Sequence, residues 1–360
     1  MKNKFIYIFF LTKKIIEGYR YIIVPGMGGS VLYHHMDEKR KIWPPTFPIN
    51  FKEIEMNDKF EIPKPQEKRI GPISSIQIDT PIVYAFTKNT YYSQLIENLK
   101  IKNHQVYAFP YDFRYILFES YKNILYEQYE KFIREDKRGD FRIICHSLGG
   151  IIFQDFILEM KKRNRKDILK KIKIIYYISV PFGGVPHSLH CILDGIENEK
   201  GLIIEKNNKN TNMISTKFKY IHRFSGIYLT LPIENMGPIY RKEEKWYDNK
   251  EMINLLKENK IANDYYKLTE KWIKNRKKSI SEIEQIIIYG TNIMTTPICL
   301  DHETRIILNG DGDGIVPKSS LIYPIKYWKN KPEEIKIENM EHSKINNSPI
   351  LWKIITNEKK

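Results

Sequence analysis

The amino-acid sequence predicts an α/β fold: a mostly parallel sheet flanked by helices, with an inserted cap and a lid-like excursion. Three observations lead there. Short apolar, β-branched runs alternate with stretches whose apolar residues fall at helical spacing, the signature of strands covered on both faces. One such run meets a serine between small residues in Arg142-Ile-Ile-Cys-His-Ser-Leu-Gly-Gly150, and a helical pattern follows at once. The alternation breaks at 33–80 and again at 185–280, and resumes after each break.

Taken in order, Tyr21-Ile-Ile-Val24 is ended by Pro25-Gly26 and reads as a buried strand and a sharp loop. Residues 33–80, rich in proline and charge, read as an excursion from the core. Thr90 stands as a cap for a helix over 91–99, and 105–109 is the next strand. Leu117, Tyr121, Ile124, Leu125, Tyr129 and Phe132 share one face of a helix within 115–135. Residues 141–145 form a strand that leads into a helix from Leu148, and 172–180 is a further strand closing at Pro181-Phe-Gly-Gly184. The stretch 185–280 is charged, partly loop-rich, and holds an amphipathic segment at 264–274 with Tyr265, Leu268 and Trp272, so it reads as the cap. Residues 283–289 resume the sheet and 335–337 supply its last strand. The core is thus 1–184 together with 281–360, and the cap is 185–280.

With 360 residues the chain can bury a large core, and its hydrophobic fraction of 42% with 24 tyrosines excludes wholesale disorder. The net charge of +16 is carried mostly by lysine spread along the chain, a compositional bias rather than a dedicated basic patch. No arginine-rich arm or zinc-finger spacing is present, and nucleic acid is not expected as a partner. Cys145, Cys191 and Cys299 are odd in number and widely spaced, which suits a reducing compartment and suggests neither a disulfide framework nor metal pairing. The run Phe5-Ile-Tyr-Ile-Phe-Phe-Leu11 is too short to span a bilayer and no small-residue cleavage site follows, so an extra strand is preferred to a degenerate signal or shallow anchor. Together these features favour a cytoplasmic protein or one peripheral to an intracellular membrane.

The serine motif has the form of a nucleophile elbow, a turn so tight that the residues two before and two after the serine must be small. Ser147 is the nucleophile, Gly149 the downstream small residue, and Cys145 stands where glycine is usual. Serine needs a base to take its proton and an acid to orient that base, and the chain order in such a fold is serine, acid, histidine. Of nine histidines only His342 lies beyond the glycine-rich loop Asn309-Gly-Asp-Gly-Asp-Gly-Ile-Val-Pro317, and it follows the last predicted strand. His146 is adjacent to the serine, where its side chain should point away from the active face. Asp311 and Asp313 compete for the acid; burial of Val316 would anchor the loop and favours Asp313, leaving Asp311 to cap the turn. The loop copies the first half of an EF-hand, but Ser320 stands where the bidentate glutamate is required, so no metal is expected there. The oxyanion needs preorganised donors, assigned to the backbone N–H of Leu148 and, in Val24-Pro-Gly-Met-Gly-Gly-Ser30, to that of Met27. Phosphate binding by those glycines fails on spacing, because Val31 stands where Gly-x-Gly-x-x-Gly requires glycine.

These residues, with Ile42-Trp43, Phe109-Pro-Tyr-Asp-Phe-Arg114, Tyr289-Gly290 and Glu341-His342 in the same order, resemble the lecithin:cholesterol acyltransferase family, which includes lysosomal-type phospholipase A2 and phospholipid:diacylglycerol acyltransferases. The resemblance runs over nearly the whole chain. It implies an α/β-hydrolase core with a cap, cleaving a fatty acyl ester of a phospholipid or related lipid and passing the acyl group to water or an alcohol such as a sterol or diacylglycerol. The serine mechanism requires no metal or organic cofactor, and the lysine-rich surface is expected to contact a membrane. Secreted members close a lid near the Trp43 region with a disulfide, and here no cysteine precedes Cys145, so substrate range is not carried over. Asp112 and Arg114 are expected to pair and hold their loop beside the nucleophile. Trp43, beside Pro44 and Pro45, is either a membrane-touching or a packing residue. Two rivals stay open: an esterase of soluble or lipid-anchor esters, and an inactive lipid-surface binding module, which would have no need of an intact serine, aspartate and histidine.

Overall fold

The computed structural model describes residues 18–34, 37–43, 70–76, 91–199, 221–233, 240–242, 245–295, 299–300 and 310–356. The apolar run at the start of this span forms β1 (Arg20–Val24), buried at every position. A hairpin of β2 (Leu32–His34) and β3 (Asp37–Trp43) follows. Next come α1 (Ser93–Ile101), β4 (Gln105–Ala108), α2 (Glu119–Glu135), β5 (Phe141–His146), α3 (Leu148–Lys162), α4 (Lys166–Leu169) and β6 (Ile172–Ile178). The segment 185–280, expected as a cap and called so below, holds α5 (Pro186–Glu199), α6 (Ser225–Tyr228), β7 (Tyr240–Lys242), β8 (Lys245–Tyr247), α7 (Asn249–Lys257) and α8 (Lys260–Arg276). The chain returns through β9 (Glu284–Thr291), β10 (Ile293–Thr295), β11 (Cys299–Leu300), β12 (Gly310–Gly312), α9 (Lys318–Leu321), α10 (Tyr323–Tyr327), β13 (Glu333–Glu338) and α11 (Pro349–Ile355).

Six of the strands build one sheet in the order β13-β9-β6-β5-β1-β4, and all its pairings are parallel. Parallel strands need crossovers, and the helices that supply them cover both faces. Side chains alternate accordingly. Tyr21, Ile23, Ile144 and Tyr176 face α1 and α11, while Ile22, Val24, Ile143 and Cys145 face α2, α3 and α8. Cap residues Leu189, Phe224, Tyr228 and Met252 share the second of these apolar clusters, so the cap is packed continuously with the sheet. From β1 the chain winds out to β4 and then returns past β1 to β5. Strand order therefore reverses between β1 and β5, and open α/β sheets bind their ligands beyond the carboxyl ends of strands at such a reversal.

Several boundaries shift by a few residues from the sequence expectation, and two of the shifts have a visible cause. The helix expected within 115–135 begins only at Glu119, because residues before it are held in a loop by the buried Asp112–Arg114 pair. β6 ends at Ile178, since Ser179 turns to φ 49°. Residues 5–11, Thr90 and most of 33–80 lie outside the described residues. No helix among the described residues is long and apolar enough to cross a membrane.

Candidate active site

β5 carries the nucleophile candidate straight to the switch point. Ser147 follows its last residue and precedes the first turn of α3, at φ 52° and ψ −129°. That left-handed conformation is costly for a residue with a Cβ and is held by its surroundings. The Ser147 N–H donates to Ile178 O of the next strand (2.9 Å), and Gly150 N–H donates to Ser147 O (3.0 Å). Gly149 cannot be larger: a Cβ there would lie 2.4 Å from Pro25 O and 2.5 Å from Val24 O. Its absence lets α3 start against the end of β1, which brings the glycine-rich loop beside the serine. Cys145, the departure from the usual glycine, is fully buried on the face covered by the helices of the second cluster, where a small thiol fits.

The other two groups arrive from the far end of the chain. His342 follows β13 and Asp313 follows β12, and His342 N–H donates to Asp313 O (2.8 Å), tying the two loops together. The His342 Nε2 lies 3.0 Å from Ser147 Oγ, and its Nδ1 lies 2.7 Å from Asp313 Oδ2. The second carboxylate oxygen of Asp313 accepts N–H bonds from Val316 (2.7 Å) and Ile315 (3.1 Å). Burial opposes ionisation of Asp313, but His342 and these hydrogen bonds outweigh it and hold the carboxyl below its ordinary range. Val316 is buried, as the anchoring of this loop requires. Asp311 faces elsewhere: it accepts from Asn292 N (2.7 Å), Thr291 Oγ1 (2.9 Å) and Lys318 Nζ (2.7 Å), closing the turn between β9 and β10.

Residues 78–297 match the model of the lecithin:cholesterol acyltransferase family, well over half of the chain. The chain belongs to that family. The match includes Ser147 and the whole cap; Asp313 and His342 lie beyond it, and it is the fold that brings them to the serine. Comparison with curated proteins yields no match. Among solved structures the chain is similar to a chain of the Tle4–Tli4 complex (10% identity, 95% of this chain and 98% of that chain covered, TM-score 0.48). It is also similar to Staphylococcus hyicus lipase (12%, 94% and 93%, TM-score 0.38) and to a marine microorganism esterase (15%, 95% and 95%, TM-score 0.36).

In this acyltransferase-family chain the loop from Val24 to Ser30 is fastened at almost every residue. Tyr111 Oη donates to Pro25 O (2.9 Å), Tyr92 Oη accepts from Gly26 N (3.1 Å), and Gly29 N donates to Gly26 O (3.0 Å). The Trp43 indole donates to Gly28 O, and its ring meets Phe113 edge-on at 5.8 Å. Trp43 is thus a packing residue of this site. The Asp112–Arg114 pair is bidentate and buried (2.7 and 3.0 Å), as expected, and its loop clamps the cap. Phe113 O and Arg114 O accept from Gly226 N (2.8 Å) and Ser225 N (3.1 Å) at the start of α6. A Cβ on Gly226 would meet the side chains of Leu148 and Met27 at 3.2 and 3.3 Å, so the cap closes on the two residues expected to supply oxyanion donors.

Sequence reasoning missed Tyr92 and Tyr111 as supports of this loop and did not foresee what His146 contacts. Tyr111 lies in the Phe109–Arg114 motif, but the acceptor of its hydroxyl, Pro25 O, is 86 residues away. Tyr92 carries no local signal, because its partners are 66 and 54 residues away.

Proposed function

We propose that the protein is a serine-dependent esterase or acyltransferase of acyl lipids that works through an acyl-enzyme. The single observation that carries the reading is the continuous path from Ser147 Oγ through His342 to the buried Asp313 carboxylate, at the switch point of the sheet. In this reading Ser147 Oγ attacks the ester carbonyl carbon while His342 Nε2 takes its proton. Asp313 fixes the imidazole with its proton on Nδ1 and stabilises the imidazolium. The negative oxygen of the tetrahedral intermediate is met by the N–H of Leu148, which as the first residue of α3 has no intrahelical acceptor, and by the N–H of Met27. As the intermediate collapses, the ester C–O bond breaks and His342 returns its proton to the departing alcohol oxygen. Water or an acceptor alcohol then gives its proton to His342 and attacks the acyl carbon, and as this second intermediate collapses the bond to Ser147 Oγ breaks and His342 returns the proton to Oγ. No metal or organic cofactor enters these steps.

A fatty acyl substrate is favoured by family membership and by the apolar groups around the serine, where Met27, Leu148, Phe113, Phe224 and Trp43 pack together. Such substrates are presented at lipid surfaces, and the +16 charge favours anionic ones. The test is lipid mass spectrometry of the protein with mixed phospholipid vesicles, with and without sterol or diacylglycerol. New free fatty acid that disappears in Ser147→Ala supports hydrolysis, and new acyl ester supports transfer. Turnover of a soluble ester with no change in any lipid would move the substrate class to small esters.

A further inference from the structure

His146 is the neighbour of the nucleophile, is 4% exposed, and has no step in the mechanism above. Both of its ring nitrogens are nevertheless engaged. Nε2 lies 3.2 Å from the main-chain oxygen of His342, and Nδ1 lies 3.1 Å from Tyr92 Oη. The same phenol oxygen is 3.1 Å from Gly26 N. The two ends of this chain have only one role each: a peptide carbonyl can only accept and a peptide N–H can only donate. The direction of every link follows. His146 carries its proton on Nε2 and donates it to His342 O; bare Nδ1 accepts from the Tyr92 hydroxyl; the Tyr92 oxygen accepts from Gly26. A protonated imidazole would put a second hydrogen on Nδ1, facing the Tyr92 hydroxyl that must donate there. Consistent with this, burial and then the nearby His342 push the His146 imidazole down to about 3.

We infer that His146, with Tyr92, is a positioning residue that holds the main chain of the base His342 and the Gly26–Met27 oxyanion loop in register with Ser147. The inference rests on the serine reading proposed above. Its geometry explains why a histidine suits the position. The imidazole spans from the end of β5 to two other loops at once, and its ring lies 5.0 Å from that of His342. Gly26 closes the remaining space, since a Cβ there would lie 3.0 Å from Ser147 Cβ and 3.2 Å from His146 Nδ1. The three groups that must converge on one ester carbonyl come from β1, β5 and the loop after β13. A hydrogen-bonded link of fixed direction between them is what keeps the reacting atoms aligned.

The test compares Tyr92→Phe, His146→Leu, His146→Gln and the double variant Tyr92→Phe/His146→Leu in the full chain. The readouts are the rate constant for labelling by a fluorophosphonate, kcat and KM on a soluble nitrophenyl ester per titrated site, and thermal unfolding. Tyr92→Phe and His146→Leu should each lower kcat and the labelling rate by about 10- to 100-fold with KM unchanged. The double variant should be little worse than the poorer single one, because both break one link. His146→Gln, whose amide N–H can still reach His342 O, should recover part of the rate. Titrated sites that keep wild-type kcat and labelling rate while only thermal stability falls would overturn the proposal, as would effects that simply multiply in the double variant. Should the leucine variant fail to fold, the near-isosteric Tyr92→Phe decides the matter by the same rates. A wild-type protein that takes no label removes the serine reading and this proposal together, whereas a labelled wild type with unaffected variants removes this proposal alone.

Discussion

Two aspartates two residues apart take opposite parts in this protein. Asp313 is buried against His342 and Asp311 closes a turn with Lys318 and Asn292. Asp313→Asn should therefore lower turnover by about 10⁴-fold, since an amide cannot hold the imidazole in the required tautomer. Asp311→Asn should cost only about 1 kcal/mol of stability from weakened turn hydrogen bonds. Steady-state kinetics and urea unfolding of the two variants check both, and the reverse pattern would exchange the roles. His146 gives a second, separate signature. Its imidazole titrates at about 3 in the native protein against an ordinary 6.5, so between those values the unfolded chain binds a proton that the native site refuses. Stability therefore rises with pH across this window, and falls by about 1.4 kcal/mol for each unit as pH drops from 6.5 toward 3. In His146→Gln this contribution is absent, so the stability difference between wild type and variant should narrow as pH is lowered from 7 to 4; a constant difference would contradict the burial of a neutral imidazole. Ser147, Asp313 and His342 were legible from sequence because the elbow is a local pattern and only one histidine follows the aspartate loop. The contacts of His146 were not, since they depend on Tyr92 and on a backbone oxygen 196 residues away.

At the scale of elements, the cap is fixed to the core through α8. Successive turns of this helix reach one charged cluster, built around the buried Lys122. Lys271 Nζ lies 3.0 Å from Glu119 Oε1, Asn275 donates to Asp155 (2.5 Å), and the Trp272 ring lies 5.3 Å from Lys122 Nζ. Lys122 is 2% exposed and has two carboxylates about it, Glu119 at 2.8 Å and Asp155 at 3.8 Å. Asp155 also accepts from Tyr126 Oη (2.9 Å). Asp155→Ala strips one carboxylate from a buried ammonium and takes away the acceptor of the Asn275 amide, while the Tyr126 hydroxyl keeps Ile152 O (3.2 Å), so it should destabilise by about 3 kcal/mol. The apolar pair Lys122→Met/Asp155→Leu should recover most of that loss. Chemical denaturation of the three proteins measures it, and a double variant worse than the single one would show that the charges themselves hold α8. The inner strands β1, β5, β6 and β9 were readable because each is a short, largely buried apolar run, and α8 because Tyr265, Leu268 and Trp272 repeat at helical spacing. The late start of α2 was not readable. Leu117 continues the helical pattern, but the bonds from this loop to α6, more than a hundred residues away, combine with the local Asp112–Arg114 pair and overrule it.

Over the whole molecule, the parallel sheet fixes the active site by topology. The strand order reverses between β1 and β5, and the loops after β1, β5 and β13 meet there with that after β12. The charge distribution belongs to the same scale. With a net charge of +16 the protein should pellet with vesicles containing phosphatidylserine at low salt and release progressively as salt screens the attraction. Because Trp43 is packed on Phe113 and bonded to Gly28, Trp43→Ala should disturb the oxyanion loop and slow turnover without changing the salt-resistant fraction bound. If Ser147 forms the acyl-enzyme, fluorophosphonate treatment followed by intact-mass and peptide mapping will show it. A single adduct on the peptide carrying Ser147, absent from Ser147→Ala and formed about 10³-fold or more slowly in His342→Ala, is the predicted result. Equal labelling of wild type and Ser147→Ala, or an adduct on another residue, would contradict it.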